Sequence, residues 1–130
     1  MRSRAVSRLV AILPCNDLEA SQAFYARLGF RLAEGGDHSD YRMLEDGQGG
    51  ELHLTAAVEG WLVPGRNPFG LYLYAEAVDA LAATVADLLL HPPKEQPWGM
   101  YEFALSDPDE TLVRVGWPTR LRTPEKGRPQ

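Results

Sequence analysis

The sequence predicts an α+β fold made of two βαβββ modules, and three observations support this prediction. Short apolar runs and one helical segment occur in the order strand, helix, strand, strand, strand, and this order recurs with a period of roughly 60 residues. A loop rich in glycine and proline, from about Val58 to Pro68, separates the two copies. The chain has 130 residues, 45% of them apolar, which suits one compact domain with a buried core. We therefore expect a single domain, with module one at 8–57 and module two at 69–117.

The first module begins with a short apolar run that Pro14 should end, which is typical of a strand. Asn16 or Asp17 can cap the helix that follows, and Gly29 can end it. Asp46-Gly47 lies between two segments of alternating residues and indicates a hairpin. The predicted strands of this module are Leu9–Leu13, Phe30–Ala33, Tyr41–Glu45 and Glu51–Ala56.

The second module repeats this order. We expect its helix over Val78–Leu90, because Pro92-Pro93 cannot continue a helix. Asp107–Glu110 has the composition of a turn. From Thr119 to Gln130 the chain is rich in charged residues, proline and glycine, which predicts a mobile tail at 119–130. The predicted strands of this module are Gly70–Ala75, Lys94–Gln96, Tyr101–Ser106 and Thr111–Gly116.

Composition and charge argue against several classes of function. The formal net charge is −5, so the basic surface of a nucleic-acid-binding protein is absent. The negative net charge is compatible with a cationic ligand, but most acidic proteins are simply soluble. No run approaches the roughly 18 apolar residues of a membrane helix, and the N-terminus lacks a signal-peptide core. Cys15 is the only cysteine, which agrees with a reducing compartment, and we expect a cytoplasmic protein.

Trp98 is the residue that most strongly suggests a binding site. It lies in Pro97-Trp98-Gly99, where proline restricts the backbone and glycine permits a turn. An indole held in this way at the mouth of a cleft would lose little entropy when it binds a planar ligand. The alternative is that Trp98 closes the core or a dimer interface.

The order and spacing of these elements, together with six short motifs, resemble the glyoxalase/bleomycin resistance protein/dioxygenase superfamily, also called the vicinal-oxygen-chelate superfamily. The resemblance covers about Arg8–Trp117 and is greatest for the bleomycin-resistance-like branch. It implies two curved mixed sheets, the vicinal-oxygen-chelate fold. It also implies a homodimer in which two chains complete each cleft. The motifs are Asn16–Ser21, Phe24-Tyr25, Leu28–Phe30, Trp98-Gly99, Glu102–Leu105 and Asp107-Pro108.

The metal site of the superfamily is not expected in this chain. A Lewis-acid metal requires several lone-pair donors that converge on one point. At the positions where the resemblance implies His or Glu ligands, this sequence has Val10, Gly70 and Arg114. His53 is the only histidine at a plausible ligand position, and a half-buried structural histidine is the simpler interpretation. We therefore predict neither a metal nor another cofactor.

Without a metal, the cleft of such a fold would be lined by alternate residues of the sheets. Tyr72 and Tyr74 share one face of their strand, and Leu71 and Leu73 share the other, which suits the face covered by the helix. Trp61, in the loop between the modules, is a further aromatic candidate, although it could simply cover a sheet edge. The candidate ligand-binding residues are Trp98, Tyr41, His53, Tyr72, Tyr74, Trp61, Glu102 and Arg114.

Three hypotheses about function remain open. The first is a non-catalytic protein that binds a planar small molecule, with a cationic one favoured by the acidic balance. Under the resemblance, the tryptophan of the Pro-Trp-Gly motif stacks on a bleomycin-type antibiotic. The second is a lyase or dioxygenase-like enzyme with an altered or lost metal site, which uses His53 and a glutamate as acid or base. The third is a structural or regulatory dimer without a ligand; neither nucleic acid nor a membrane is an expected partner.

Overall fold

The computed structural model describes residues 5–123 of the chain. The described residues divide into two compact units, 5–61 and 62–123. Each unit contains one helix and one four-stranded mixed sheet, in the order strand, helix, strand, strand, strand. The predicted α+β fold with two βαβββ modules is therefore confirmed. Within residues 5–123, neither helix is long and apolar enough to cross a membrane.

The first unit has its sheet in the order β1-β4-β3-β2. Strand β1 runs parallel to β4, and the other neighbouring strands are antiparallel. This arrangement places the first strand at the edge of the sheet. The elements are β1 (Ala11–Cys15), α1 (Leu18–Ala26), β2 (Arg31–Asp37), β3 (Tyr41–Glu45) and β4 (Glu51–Ala56).

Helix α1 is positioned by local signals at both ends. The Asp17 side chain caps the helix and accepts a hydrogen bond from the Ala20 backbone N–H at 3.1 Å. Gly29 follows with a φ of 99°, a conformation that glycine adopts without steric cost. The helix buries Phe24 and Tyr25, whose rings pack edge to face with centroids 4.9 Å apart. These side chains form the core with apolar residues of the sheet, namely Leu13, Cys15, Leu44, Leu52 and Leu54.

The first strand differs from its predicted bounds. The sequence predicts Leu9–Leu13 with Pro14 as the terminator, but β1 runs from Ala11 to Cys15 and includes Pro14. A proline cannot donate to a sheet ladder, so it is tolerated at an edge, where one side of the strand has no partner strand. β1 is such an edge strand, and the prediction that Pro14 ends it is wrong.

The second unit has its sheet in the corresponding order, β5-β8-β7-β6, with β5 parallel to β8. Strand β7 lies in the middle and is buried over most of its length. A short 3-10 helix, Ala86–Leu88, precedes β6, and a second one, Thr119–Leu121, follows β8. The main elements are β5 (Gly70–Tyr74), α2 (Val78–Thr84), β6 (Leu89–Glu95), β7 (Met100–Ser106) and β8 (Leu112–Pro118).

Helix α2 is shorter than the sequence predicts, because the prediction ran through Leu90 and the helix ends at Thr84. Pro92 and Pro93, interpreted as helix terminators, instead lie inside β6. β6 is an edge strand, and its pairing with β7 shifts register between His91 and Lys94. The two prolines therefore fall where the ladder is interrupted, a position that tolerates residues without an N–H group.

The segment after β8 is folded as far as the structure describes it. The Arg122 guanidinium lies over the Tyr101 ring at 3.6 Å from its centroid, and it approaches Asp79 at 3.5 Å. The predicted mobile tail begins at Thr119, whereas Thr119–Leu121 form a 3-10 helix. Residues 124–130, the rest of that predicted tail, lie outside the described residues.

The turn between β7 and β8 depends on Asp107. Its Oδ1 atom accepts hydrogen bonds from the backbone N–H groups of Asp109 at 2.8 Å and Thr111 at 2.9 Å. Glu110 has a φ of 67°, in the left-handed region that side chains other than glycine rarely adopt. The two hydrogen bonds to Asp107 hold the turn in this shape and so compensate the strain at Glu110.

Replacing Asp107 by alanine should lower the free energy of unfolding by about 2 kcal/mol, since two N–H groups lose their acceptor and that of Thr111 is buried. Urea unfolding followed by circular dichroism measures the change. Asp40, which is exposed, provides the matched control, and Asp40→Ala should change stability by less than about 0.5 kcal/mol. Equal effects of the two substitutions would contradict this role for Asp107.

Candidate functional site

A buried carboxylate is the centre of the candidate site in the second unit. Glu102 lies on the middle strand β7 and has no exposed surface. Its Oε1 atom accepts a hydrogen bond from the Tyr72 hydroxyl at 2.8 Å and another from the Trp98 indole N–H at 3.0 Å. Hydrogen bonds to an ionised carboxylate are stronger than those between neutral groups, so this atom fixes both aromatic side chains.

Gly116 makes this arrangement possible. It pairs with Glu102 in the β7–β8 register and with Tyr74 in the β5–β8 register. A Cβ atom at this position would lie 2.7 Å from the Glu102 Cβ and would collide with the Tyr72 hydroxyl. The sequence interpretation did not single out Gly116, although a glycine inside an apolar strand is a known sign of close approach.

Trp98 lies between β6 and β7 in a tight turn. Gly99 has a φ of 83°, and its N–H donates to the Gln96 carbonyl at 3.0 Å. The indole N–H points at Glu102, whereas 56% of the residue is exposed to solvent. The turn and the hydrogen bond together hold an aromatic ring in a defined orientation at the surface. A Trp98 that closes the core is not what the structure shows.

Arg114 is the cation of this cluster. It lies on β8 beside Tyr72 of β5, and its Nε atom is 3.8 Å from Glu102 Oε2. Its guanidinium carbon is 5.6 Å from the centroid of the Trp98 ring, within the range of a cation–π contact. The side chain is 42% exposed. Arg114 thus compensates the buried charge from a position that is open to solvent.

Tyr74 extends the aromatic surface away from Glu102. Its ring centroid is 5.0 Å from that of Tyr72 and 6.5 Å from that of Trp117. The two tyrosines are exposed, whereas Leu71 and Leu73 are half-buried, as the predicted alternation along β5 requires. The residues that we call the carboxylate cluster are Tyr72, Tyr74, Trp98, Glu102 and Arg114.

The remaining candidate residues lie in the first unit. The Tyr41 hydroxyl and His53 Nδ1 are 2.7 Å apart, which is a hydrogen bond, and their rings pack edge to face with centroids 5.2 Å apart. Both side chains are partly buried. Trp61, in the loop that ends this unit, is 65% exposed. The structure therefore joins Tyr41 to His53 and five other candidates to one another.

The positions implied for a metal do not carry donors in the structure. Val10 lies just before β1, Gly70 begins β5, and Arg114 of β8 presents a cation. Among residues 5–123, no three His, Cys, Asp or Glu side chains form a group that could hold a metal ion. The residues present do not fit the metal of the superfamily, and we derive no chemistry through it.

Burial raises the pKa of the Tyr72 phenol well above its ordinary value of 10.0. The hydrogen bond to Glu102 and the negative charge of Glu102 raise the pKa further, and Arg114 partly offsets them. Although 37% of Tyr72 is exposed, its hydroxyl is directed at the fully buried carboxylate. Tyr72 therefore remains a hydrogen-bond donor across the whole neutral range.

The chain belongs to the glyoxalase/bleomycin resistance protein/dioxygenase superfamily, whose family model matches residues 7–115. The resemblance stated from the sequence is thus confirmed. No curated protein matches the chain significantly.

The solved structures that are similar to this chain include bleomycin-related proteins. A bleomycin-binding protein in complex with bleomycin is 25% identical, with a TM-score of 0.73 over 86% of this chain and 98% of that chain. A bleomycin resistance determinant encoded on the transposon Tn5 is also 25% identical, with a TM-score of 0.74 over 87% of this chain and 98% of that chain. A protein of unknown function from Agrobacterium tumefaciens str. C58 is 26% identical, with a TM-score of 0.68 over 88% and 96%.

The raised pKa of Tyr72 predicts a particular alkaline behaviour. Because the pKa is higher in the folded than in the unfolded chain, the stabilisation is complete below about pH 10 and is lost as the pH rises above it. A spectrophotometric titration should detect one phenol that ionises above the range of free tyrosine. Tyr72→Phe should remove it. Glu102→Gln should lower the pKa of the Tyr72 phenol without restoring the ordinary value, since burial remains. An unchanged titration curve in Tyr72→Phe would contradict the assignment.

Proposed function

We propose that this chain is a non-catalytic binding protein that holds a planar small molecule against the exposed face of Trp98. The observation that carries this proposal is the indole itself. It is 56% exposed, yet its N–H is fixed to the buried Glu102. A stacking surface whose orientation is already set loses little entropy when a ligand binds, so it binds more tightly than a free side chain would.

The neighbouring side chains of the carboxylate cluster favour the same use. Tyr72 and Tyr74 present two more aromatic rings on the adjacent strand. Aromatic side chains offer large contact areas at low cost in conformational entropy. A ligand with an extended flat ring system could contact several of them at once.

Bleomycin-type antibiotics are the first ligands to test, since two similar structures are a bleomycin-binding protein and a bleomycin resistance determinant, each 25% identical to this chain. Sequestration of such a drug would make this chain a resistance protein. We further propose that it acts in the cytoplasm, in agreement with a sequence that has a single cysteine, Cys15.

A second candidate function is an enzyme of the superfamily that works without its metal. The Tyr41–His53 hydrogen bond of 2.7 Å favours it, because an imidazole oriented by a partner is a common general base. The candidate glutamate, Glu102, is bonded to Tyr72 and Trp98 instead of to this pair, so binding is the preferred function.

Trp98→Ala should weaken the affinity for bleomycin about five- to 150-fold, the effect of losing roughly 1–3 kcal/mol of stacking contact. Trp98→Phe should recover a large part of the affinity because a ring face remains. Titration calorimetry measures the affinity, and the melting temperature monitors the fold. Phe69, half-exposed in the loop before β5, supplies the control Phe69→Ala. Unchanged affinity in Trp98→Ala, with a large fall in melting temperature, would show that Trp98 is structural.

We also propose that the protein is a homodimer. Each sheet has two edge strands. Two of these, β1 in the first unit and β5 in the second, expose large side chains, namely Ile12 and Tyr74. A second copy of the chain could cover such edges and complete the ligand site. Sedimentation equilibrium at micromolar concentration should therefore give about twice the chain mass of 14.4 kDa. A monomer under these conditions would refute the dimer.

A further inference from the structure

The second oxygen of the buried carboxylate has no hydrogen-bond donor. Oε1 of Glu102 takes the donors of Tyr72 and Trp98. Oε2 is buried and accepts no hydrogen bond from any of the described residues. A buried carboxylate oxygen in this condition is unusual, because almost all such atoms have a partner. The Tyr72 and Trp98 donors are already engaged, so the missing donor has to come from elsewhere.

Arg114 lies near Oε2 of Glu102 but does not donate a hydrogen bond to it. The distance of 3.8 Å from its Nε to Oε2 is too long for a hydrogen bond, although the charges attract each other. With 42% of its side chain exposed, the Arg114 guanidinium can turn toward solvent, but the buried Glu102 carboxylate then needs another cation in its place. The guanidinium also lies over the Trp98 ring, on the surface that a stacked ligand would use.

We infer that Arg114 is a displaceable internal cation, which occupies the place that a protonated nitrogen of the ligand takes when it binds. This inference rests on the proposed function and assigns a ligand class to it. The ligand is a planar ring system that carries a protonated amine, amidine or guanidine beside the ring. Its ring stacks on Trp98, and its N–H donates to Oε2 of Glu102.

The exchange of one cation for another explains the selectivity of such a site. When the ligand cation replaces the guanidinium, Glu102 keeps a positive partner and gains the hydrogen bond that Arg114 does not provide. A neutral ring can stack on Trp98 but leaves the carboxylate as it was. An anionic ring loses the attraction of Arg114 if that side chain moves away, and it is repelled by Glu102. Arg114 therefore lowers the affinity for cationic ligands and raises the affinity for anionic ones.

Three tricyclic probes of similar shape test this inference, namely proflavine, acridone and acridine carboxylate, which are cationic, neutral and anionic at neutral pH. Fluorescence titration of the full chain measures their affinities. In Arg114→Met, which keeps the apolar stem, proflavine should bind about fivefold more tightly, because its competitor is gone. Acridone should change by less than about twofold, and acridine carboxylate should bind more weakly. Arg66, an exposed residue of the same unit, gives the charge-matched control Arg66→Met, which should leave all three affinities unchanged.

Glu102→Gln provides the second arm, since the carboxamide keeps the shape but not the charge. It should abolish the preference of the wild-type protein for proflavine over acridone. If this variant does not fold, as judged by its melting curve, the affinities of the three probes for Arg114→Met and for the wild-type protein still test the inference. Weaker proflavine binding in Arg114→Met, or an equal change for all three probes, would overturn the inference.

The same experiment separates this inference from the proposed function. If the probes bind and Trp98→Ala abolishes their binding, but Arg114→Met has no charge-dependent effect, the binding site stands and the displaceable cation is refuted. If no probe binds, or if binding is independent of Trp98, the proposed function fails and the inference fails with it.

Discussion

The second unit is organised around one electrostatic constraint, the burial of the Glu102 carboxylate on the middle strand of the sheet. A charge that is removed from water must be compensated by donors and by an opposite charge. Tyr72, Trp98 and Arg114 supply these from three different elements. The carboxylate therefore determines where an exposed indole, a phenol and a guanidinium stand. These are the groups from which a binding surface for a planar molecule can be made.

Strand order brings these groups together. Strand β8 lies between β5 and β7, so a side chain on β5 must reach across β8 to contact one on β7. The Tyr72 hydroxyl does so above Gly116, which has no side chain to block the path. A residue with a Cβ there would separate the phenol from the carboxylate. The site thus depends on a missing side chain as much as on those present.

Much of the fold could be predicted from the sequence, because alternation and turn residues are local signals. Tyr41–Glu45 and Glu51–Ala56 have the predicted bounds, since alternating residues lie between clear turns. One error concerns β2, which runs to Asp37 instead of ending at Ala33. Two other errors occur at prolines. Pro14 and Pro92-Pro93 were interpreted as terminators, but each lies in an edge strand. Edge position is a property of the whole sheet, and no local pattern reports it.

The site could be predicted only in part, for a similar reason. Trp98 was chosen because it lies between Pro97 and Gly99, and Glu102 and Arg114 from their positions along strands; the structure joins all three. The sequence did not reveal that the carboxylate is buried or that the tryptophan N–H is bonded to it, because both depend on pairing between strands. Nor did it reveal that Arg114, which stands where the resemblance implies a metal ligand, compensates an acid of its own chain.

The register of the two sheets shows how one repeat produces two kinds of polar pair. His53 of β4 pairs with Met43, and Tyr41 lies two residues before Met43. Arg114 of β8 pairs with Ala104, and Glu102 lies two residues before Ala104. Tyr41 and Glu102 therefore occupy equivalent positions, as do His53 and Arg114.

Each module places a diagonal pair of polar side chains at the same point of its sheet, as a tyrosine–histidine hydrogen bond in the first and an ion pair in the second. The residue opposite the first member differs in size, with Thr55 in the first sheet and Gly116 in the second. Gly116 leaves room for a phenol from the outer strand to join the pair. That phenol belongs to Tyr72, opposite Arg114, whereas the first module has Ile12 at the equivalent position, opposite His53. Because the fold supplies the same position twice, these two differences together explain why the aromatic cluster forms in the second module and why the first keeps a tyrosine–histidine pair.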